Sequence, residues 1–103
     1  MNDLLRPALY GASHNIVSSI KRFKYTNKNH EFVGPICEST DKFLNLKKFQ
    51  ILKEKDIIII CDVGAYGMVL SSNYNLRVKP AEVMIDKSAM KIITKRQKLN
   101  NII

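Results

Sequence analysis

Four isoleucines and a cysteine stand in a row at Ile57-Ile58-Ile59-Ile60-Cys61, between the charged stretch Lys53-Glu54-Lys55-Asp56 and the breaker Asp62-Val63-Gly64. β-Branched side chains are stiff at χ1 and pack best on a pleated surface. The run is the length of a buried strand and far short of the ~20 residues that a spanning helix needs. A chain holding such a strand must supply others to pair with it.

Candidates lie on both sides. His14 to Ile20 reads as a strand, followed by a basic polar connector from Lys21 to His30. Glu31 to Cys37 reads as a second strand interrupted by Gly34-Pro35, since Pro35 cannot donate to a ladder and marks a bend or an edge. Glu38 to Asp41 has turn chemistry, which leaves Cys37 and Glu38 at a strand end, and Asp41 to Leu52 is basic and weakly patterned. Further on, the alternation Ala81 to Ile85, the turn Asp86-Lys87-Ser88 and the run Ala89 to Thr94 predict a hairpin. Helical signals are short. Met1 to Leu5 reads as an extended lead-in. Pro7 suits the first turn of a helix over Ala8-Leu9-Tyr10 that Gly11 would end, and Ala65 to Ser72 has the content of a second helix. The pattern predicts a mainly β domain of five or six strands with one or two short helices, sequential strands pairing antiparallel. The domain is expected over residues 1–94, with 95–103 as a polar tail or short helix.

With 103 residues, 46% hydrophobic and 25% charged, the chain is globular and one domain at most. A net charge of +8 raises the question of nucleic acid or an acidic membrane surface. The lysines and arginines are spread over three separate stretches without a reading element, which argues against specific nucleic-acid recognition. Cys37 and Cys61, with only His14 and His30 to help, form neither a zinc pattern nor a disulfide framework, so a reduced, cytoplasmic setting is expected. Asp3, Arg6 and Pro7 interrupt the apolar core that a signal peptide requires.

Three places carry candidate chemistry. Cys37 is either a small buried hydrophobe at a strand end or, as a thiol still mostly protonated at neutral pH, a general acid. No neighbouring base favours a nucleophile. Arg6, before Pro7 and one turn from Tyr10, is either a solvated charge or part of a carboxylate clamp in which guanidinium and phenol face one point. Tyr66, between Ala65 and Gly67, is either a core tyrosine or a phenol presented to a ligand.

Four ordered stretches carry a resemblance: Met1 to Ala12 with Arg6-Pro7-Ala8-Leu9-Tyr10-Gly11; Gly34-Pro35-Ile36-Cys37-Glu38-Ser39; Gly64-Ala65-Tyr66-Gly67 with Ser71-Ser72-Asn73-Tyr74-Asn75; and Arg77 to Val83. In this order they closely resemble the C-terminal part of the diaminopimelate decarboxylases, over Met1 to about Thr94. Members of that family use pyridoxal 5'-phosphate to convert meso-2,6-diaminopimelate to L-lysine and carbon dioxide. The resemblance implies a β-sandwich or barrel-like C-terminal domain whose companion is a (β/α)8 barrel. By resemblance, Arg6, Tyr10 and Glu38 bind substrate, Tyr66 touches both cofactor and substrate, and Cys37 donates the proton to the α-carbon. Cys37 and Glu38 would reach into the partner subunit's site, so the catalytic unit would be a homodimer acting on a small molecule. The family's Schiff-base lysine, Gly-rich phosphate loop and Glu-Pro-Gly-Arg segment lie on the barrel, and no Schiff-base lysine is assigned here. The chain alone is therefore expected to be inactive. Ser13 replaces a commoner aromatic and Thr40 a usual glycine; Cys61 and Val63 depart from the pattern beside Gly64. Loss of glycine at Thr40 would restrict the turn that aims Cys37. Two alternatives are a related arginine- or ornithine-type decarboxylase domain and a non-catalytic basic β module.

Overall fold

The computed structural model describes all residues from Met1 to Ile103. Eight short strands pair two by two, every pair antiparallel, and two one-turn α-helices with two short 3-10 helices, Tyr74–Leu76 and Leu99–Asn101, complete the fold. The strands are β1 (Ile16–Ser18), β2 (Tyr25–Thr26), β3 (His30–Val33), β4 (Lys42–Leu46), β5 (Phe49–Gln50), β6 (Ile58–Ile60), β7 (Glu82–Asp86) and β8 (Ala89–Thr94). Helix α1 covers Pro7–Tyr10 and α2 covers Gly67–Leu70.

The first six strands are nested: β3 pairs with β4, β2 with β5, and β1 with β6. They form one interrupted hairpin. Its register is nearly constant, running from Ile16↔Ile60 to His30↔Leu46 and slipping by a single residue at Tyr25↔Gln50 and Val33↔Lys42. A flat arm from Ile16 to Val33 would run about 55 Å at ~3.3 Å per residue. The molecule's longest dimension is 43 Å, so the ribbon curls. Curling brings Ile16 at its base to Phe32 and Phe43 near its tip, and these three close on Leu5 to form the core. Each such side chain contributes about 1.5–3 kcal/mol on full burial.

The curled ribbon explains where the sequence expectations fail. Asp41 to Leu52, expected to be unpatterned, holds β4 and β5, and the Lys21–His30 connector holds β2. The pairs β1–β6 and β2–β5 join strands that are not neighbours in sequence, whereas β3–β4 at the tip and β7–β8 do pair sequentially. The second strand ends at Val33 and does not reach Cys37, because Gly34-Pro35 withdraws the chain from the ladder. The isoleucine run is a strand as expected, but it is not buried: Ile57 is 67% exposed and Ile59 47%. The lead-in is a turn, with the Leu4 and Leu5 N–H groups donating to the Met1 carbonyl at 2.8 and 2.9 Å. Asn2 and Asp3 suit a turn, and both are buried by the bonds they make.

Helix α1 follows its sequence signals closely. Pro7 opens it, and Gly11 ends it in the left-handed region at φ 64°, its N–H on the Pro7 carbonyl. The β7–β8 hairpin occupies the expected residues, and every residue of β8 is exposed.

Candidate functional site

The tip of the ribbon, residues 34–41, carries Cys37 and Glu38, and its shape depends on Asp41. The carboxylate of Asp41 is buried, accepts the Ile36 N–H at 2.8 Å and pairs with the Met1 amino group. Gly34 donates its N–H to the Asp41 carbonyl at 2.9 Å, and a Cβ on Gly34 would run into the Asp41 carboxylate. Only glycine fits there. Ile36 is buried at 6% exposure while Cys37 beside it is exposed, so the reading of Cys37 as a buried hydrophobe is overturned. The thiol stands free at the apex of the turn. Thr40 is absent from the left-handed region, so the turn needs no glycine at that position. Its hydroxyl instead accepts from the Asn2 amide at 3.3 Å.

Two side-chain clusters meet at α1. The first surrounds Glu38. One carboxylate oxygen accepts the Asn2 amide at 2.6 Å, the other the Tyr74 hydroxyl. Tyr74's hydrogen bond, then Asn2's, holds the Glu38 carboxyl below the usual carboxylate range, and the same Glu38 pushes the Tyr74 phenol up. Arg6, at the N-terminus of α1, donates Nε–H to the Asn2 carbonyl at 3.0 Å and lays its guanidinium carbon 5.3 Å from the Tyr74 ring centroid. This is a cation–π contact that leaves both terminal nitrogens of the fork unbonded within the chain. Asn2, Arg6 and Thr40 border a depression of about 240 Å³. Asp3 ties this cluster to the later chain, accepting Arg77 at 3.0 Å on its carboxylate and the Ser72 N–H at 2.7 Å on its carbonyl.

The second cluster surrounds His14, which is 2% exposed. Its Nδ1 lies 3.1 Å from the Cys61 carbonyl, and its Nε2 lies 2.9 Å from the Tyr66 hydroxyl and 3.4 Å from that of Tyr10. Tyr10 and Tyr66 pack edge to face at 5.7 Å between centroids. Burial, then the hydrogen bond with Tyr66, pushes the Tyr10 phenol up. Tyr66 is half-buried at the head of α2, while Gly64 and Ala65 at its shoulder are exposed.

The structure thus joins Arg6 to Glu38 through Tyr74 and Asn2, and Tyr10 to Tyr66 through His14. It does not turn Arg6 and Tyr10 to one shared partner. Asn2, Asp3, His14 and Tyr74 escaped sequence reasoning as individuals. The adjacent polar pair Asn2-Asp3 ahead of Leu4-Leu5 was the available signal for a built turn; His14 had none beyond being a histidine next to a strand.

The sequence profile of the pyridoxal-dependent decarboxylase C-terminal sheet domain matches residues 1–64. The chain belongs to this family. It is 40% identical over 102 residues to the diaminopimelate decarboxylase of Haemophilus influenzae and 39% identical to that of Vibrio cholerae, covering 99% of this chain and 24% of each of those proteins. The crystal structure of the Helicobacter pylori diaminopimelate decarboxylase complexed with L-lysine is 38% identical, with a TM-score of 0.85 over 99% of this chain and 25% of that one. The chain therefore spans about a quarter of the length of the decarboxylases it matches. Its mainly β architecture with two short helices is that of their C-terminal sheet domain.

Proposed function

We propose that this chain is the substrate-binding and proton-donating part of a diaminopimelate decarboxylase, a carboxy-lyase that converts meso-2,6-diaminopimelate to L-lysine and carbon dioxide in lysine biosynthesis. The observation that carries the reading is the pairing of a free guanidinium fork with a carboxylate across one aromatic ring, Arg6 over Tyr74 and Glu38 on its hydroxyl. A free fork complements a carboxylate and an ionised carboxylate an ammonium, the two charged groups of an amino-acid end, and with Glu38 reaching into the partner's site each serves a different bound substrate of the dimer. A substrate with two such ends needs this recognition in addition to whatever holds the reacting carbon. Similarity to named diaminopimelate decarboxylases along 99% of the chain supports the same choice.

Arg6 binds the distal carboxylate through its unbonded nitrogens, and Glu38, held ionised by Tyr74 and Asn2, accepts from the ammonium group. Tyr10 and Tyr66 contribute phenols gathered beside His14, of which Tyr66 is the more closely held. Cys37, exposed at the apex, holds at Sγ the proton that the α-carbon receives after the carboxylate leaves. Tyr66 is the residue of this chain that touches pyridoxal phosphate. A Cβ on Gly64 beside it would meet nothing within 4 Å, so a flat group has room there. When bound, the cofactor supplies the electron sink that makes loss of the carboxylate feasible. Its anchoring lysine and phosphate loop belong to the barrel, which acts as this chain's companion in a cytoplasmic homodimer, with Cys37 and Glu38 serving the partner's site.

Joining the chain to the remaining three-quarters of a matching decarboxylase tests the reading. Carbon dioxide release from meso-diaminopimelate, with little from ornithine or arginine, is expected, and the 103 residues alone should release none. Preference for ornithine or arginine would transfer the chain to the related decarboxylases; turnover by the chain alone would overturn the division of labour.

A further inference from the structure

We propose that His14 is a positioning residue for the site, holding one of two phenols on a single lone pair while leaving the other's O–H to be given to a ligand. The Cys61 carbonyl can only accept, so at 3.1 Å it requires the imidazole proton on Nδ1. The lone pair then sits on Nε2. Tyr66 at 2.9 Å donates to it, which fixes the direction of that hydroxyl. Tyr10 lies 3.4 Å from the same nitrogen, at the outer limit of a hydrogen bond, and the one lone pair cannot serve both donors at full strength. The Tyr10 O–H is therefore the weakly held one of the two. The two rings pack edge to face, which keeps both hydroxyls near the same nitrogen. Burial of His14 to 2% exposure keeps water from competing for the nitrogen. That the weakly held hydroxyl faces substrate rests on the decarboxylase reading above; the hydrogen-bond arrangement does not.

The test is the imidazole spectrum of the ¹⁵N-labelled, unmodified chain. The Nδ1–H tautomer with a hydrogen-bonded Nε2 is expected, and the Nε2–H tautomer would overturn the proposal. In Tyr66→Phe, Tyr10 should take the vacated lone pair and keep Nε2 hydrogen-bonded; only the Tyr10→Phe/Tyr66→Phe double variant should move Nε2 to its unbonded value. If Tyr66→Phe alone does so, the lone pair is not shared. These readings need no activity, so they stand or fall separately from the choice of substrate. In the joined enzyme, His14→Phe keeps a ring but no lone pair and should raise KM by up to about tenfold, the worth of one misplaced hydrogen bond. His14→Gln, able to donate to Cys61 and accept from Tyr66, should recover much of that loss. Equal defects in both variants would reduce His14 to a packing residue.

Discussion

Tyr74 and Asn2 depress the Glu38 carboxyl in the folded chain, Tyr74 being the larger influence. The sign of the linkage follows: stability from these bonds is present above the unfolded carboxyl value and is lost as pH falls through the lower folded value. Tyr74→Phe should move the Glu38 titration up toward an ordinary glutamate, read from the side-chain carboxyl by NMR; an unmoved midpoint would remove Tyr74 from the site. Asp56 behaves alike, with Arg22 holding its carboxyl at about 2, below 3.8, so that pair's contribution fades as pH drops across that interval. Cys37 makes a different prediction. In the joined enzyme, Cys37→Ala should lower turnover by ~10²–10⁴-fold with substrate affinity largely kept, because a positioned acid acts in the transition state. Arg6→Ala should instead weaken affinity. If Cys37→Ala turns over at the unmodified rate, the proton comes from elsewhere.

Among the elements, the tip turn and α1 hold the candidate site, and each depends on one glycine. Gly34→Ala forces a methyl into the Asp41 carboxylate, whose bond to the Ile36 N–H shapes the turn. The expected loss is about 1–3 kcal/mol in denaturant unfolding, as for other overpacked positions. Gly11→Ala meets open space but must adopt φ 64°, a backbone strain of about 1–2 kcal/mol. The two should also differ functionally in the joined enzyme: Gly34→Ala displaces Cys37 and Glu38 and should lower turnover, whereas Gly11→Ala leaves the tip untouched. Comparable loss of turnover in both would place the tip's geometry outside catalysis.

At the scale of the whole molecule, the radius of gyration is 15.3 Å. A compact chain of this length would have about 13 Å. An apolar groove of about 570 Å³ lies between β6, α2 and the β7–β8 hairpin, lined by Leu5, Ile58, Ile60, Val63, Val83 and Ile93 among others. Ile57, just before β6, and Ile85, Met90 and Ile92 on the hairpin are exposed apolar side chains. An open groove with exposed strands is a template for association. Without the rest of a decarboxylase, the chain is expected to self-associate with rising concentration in sedimentation velocity and to bind a hydrophobic dye. Replacing Ile58 and Ile93, which line the groove, by Thr should reduce both; unchanged association would mean that the groove is not the contact.

What the sequence determined by itself were the features carried by local chemistry: α1 between Pro7 and Gly11, the hairpin Glu82–Thr94, the isoleucine strand, the turn at Gly34-Pro35, and the ordered motifs that mark the family. Each rests on a backbone preference of a few adjacent residues, or on a run of side chains that needs no distant partner to be read. Tertiary structure decided the rest. The strands β2, β4 and β5 are too short or too weakly alternating to declare themselves, and they exist because the nested ribbon brings partners 9 to 25 residues away into register. Exposure of the isoleucine run was likewise undecidable from its composition, since β-branched residues favour a pleated surface whether or not another layer covers it. The site shows the same division. Arg6, Tyr10, Cys37, Glu38 and Tyr66 are candidates named by motif alone, but that Asn2 grips Glu38 across 36 positions, or that His14 sits between Tyr10 and Tyr66, follows only from the curl of the ribbon, because a hydrogen bond between distant residues leaves no periodic trace along the chain.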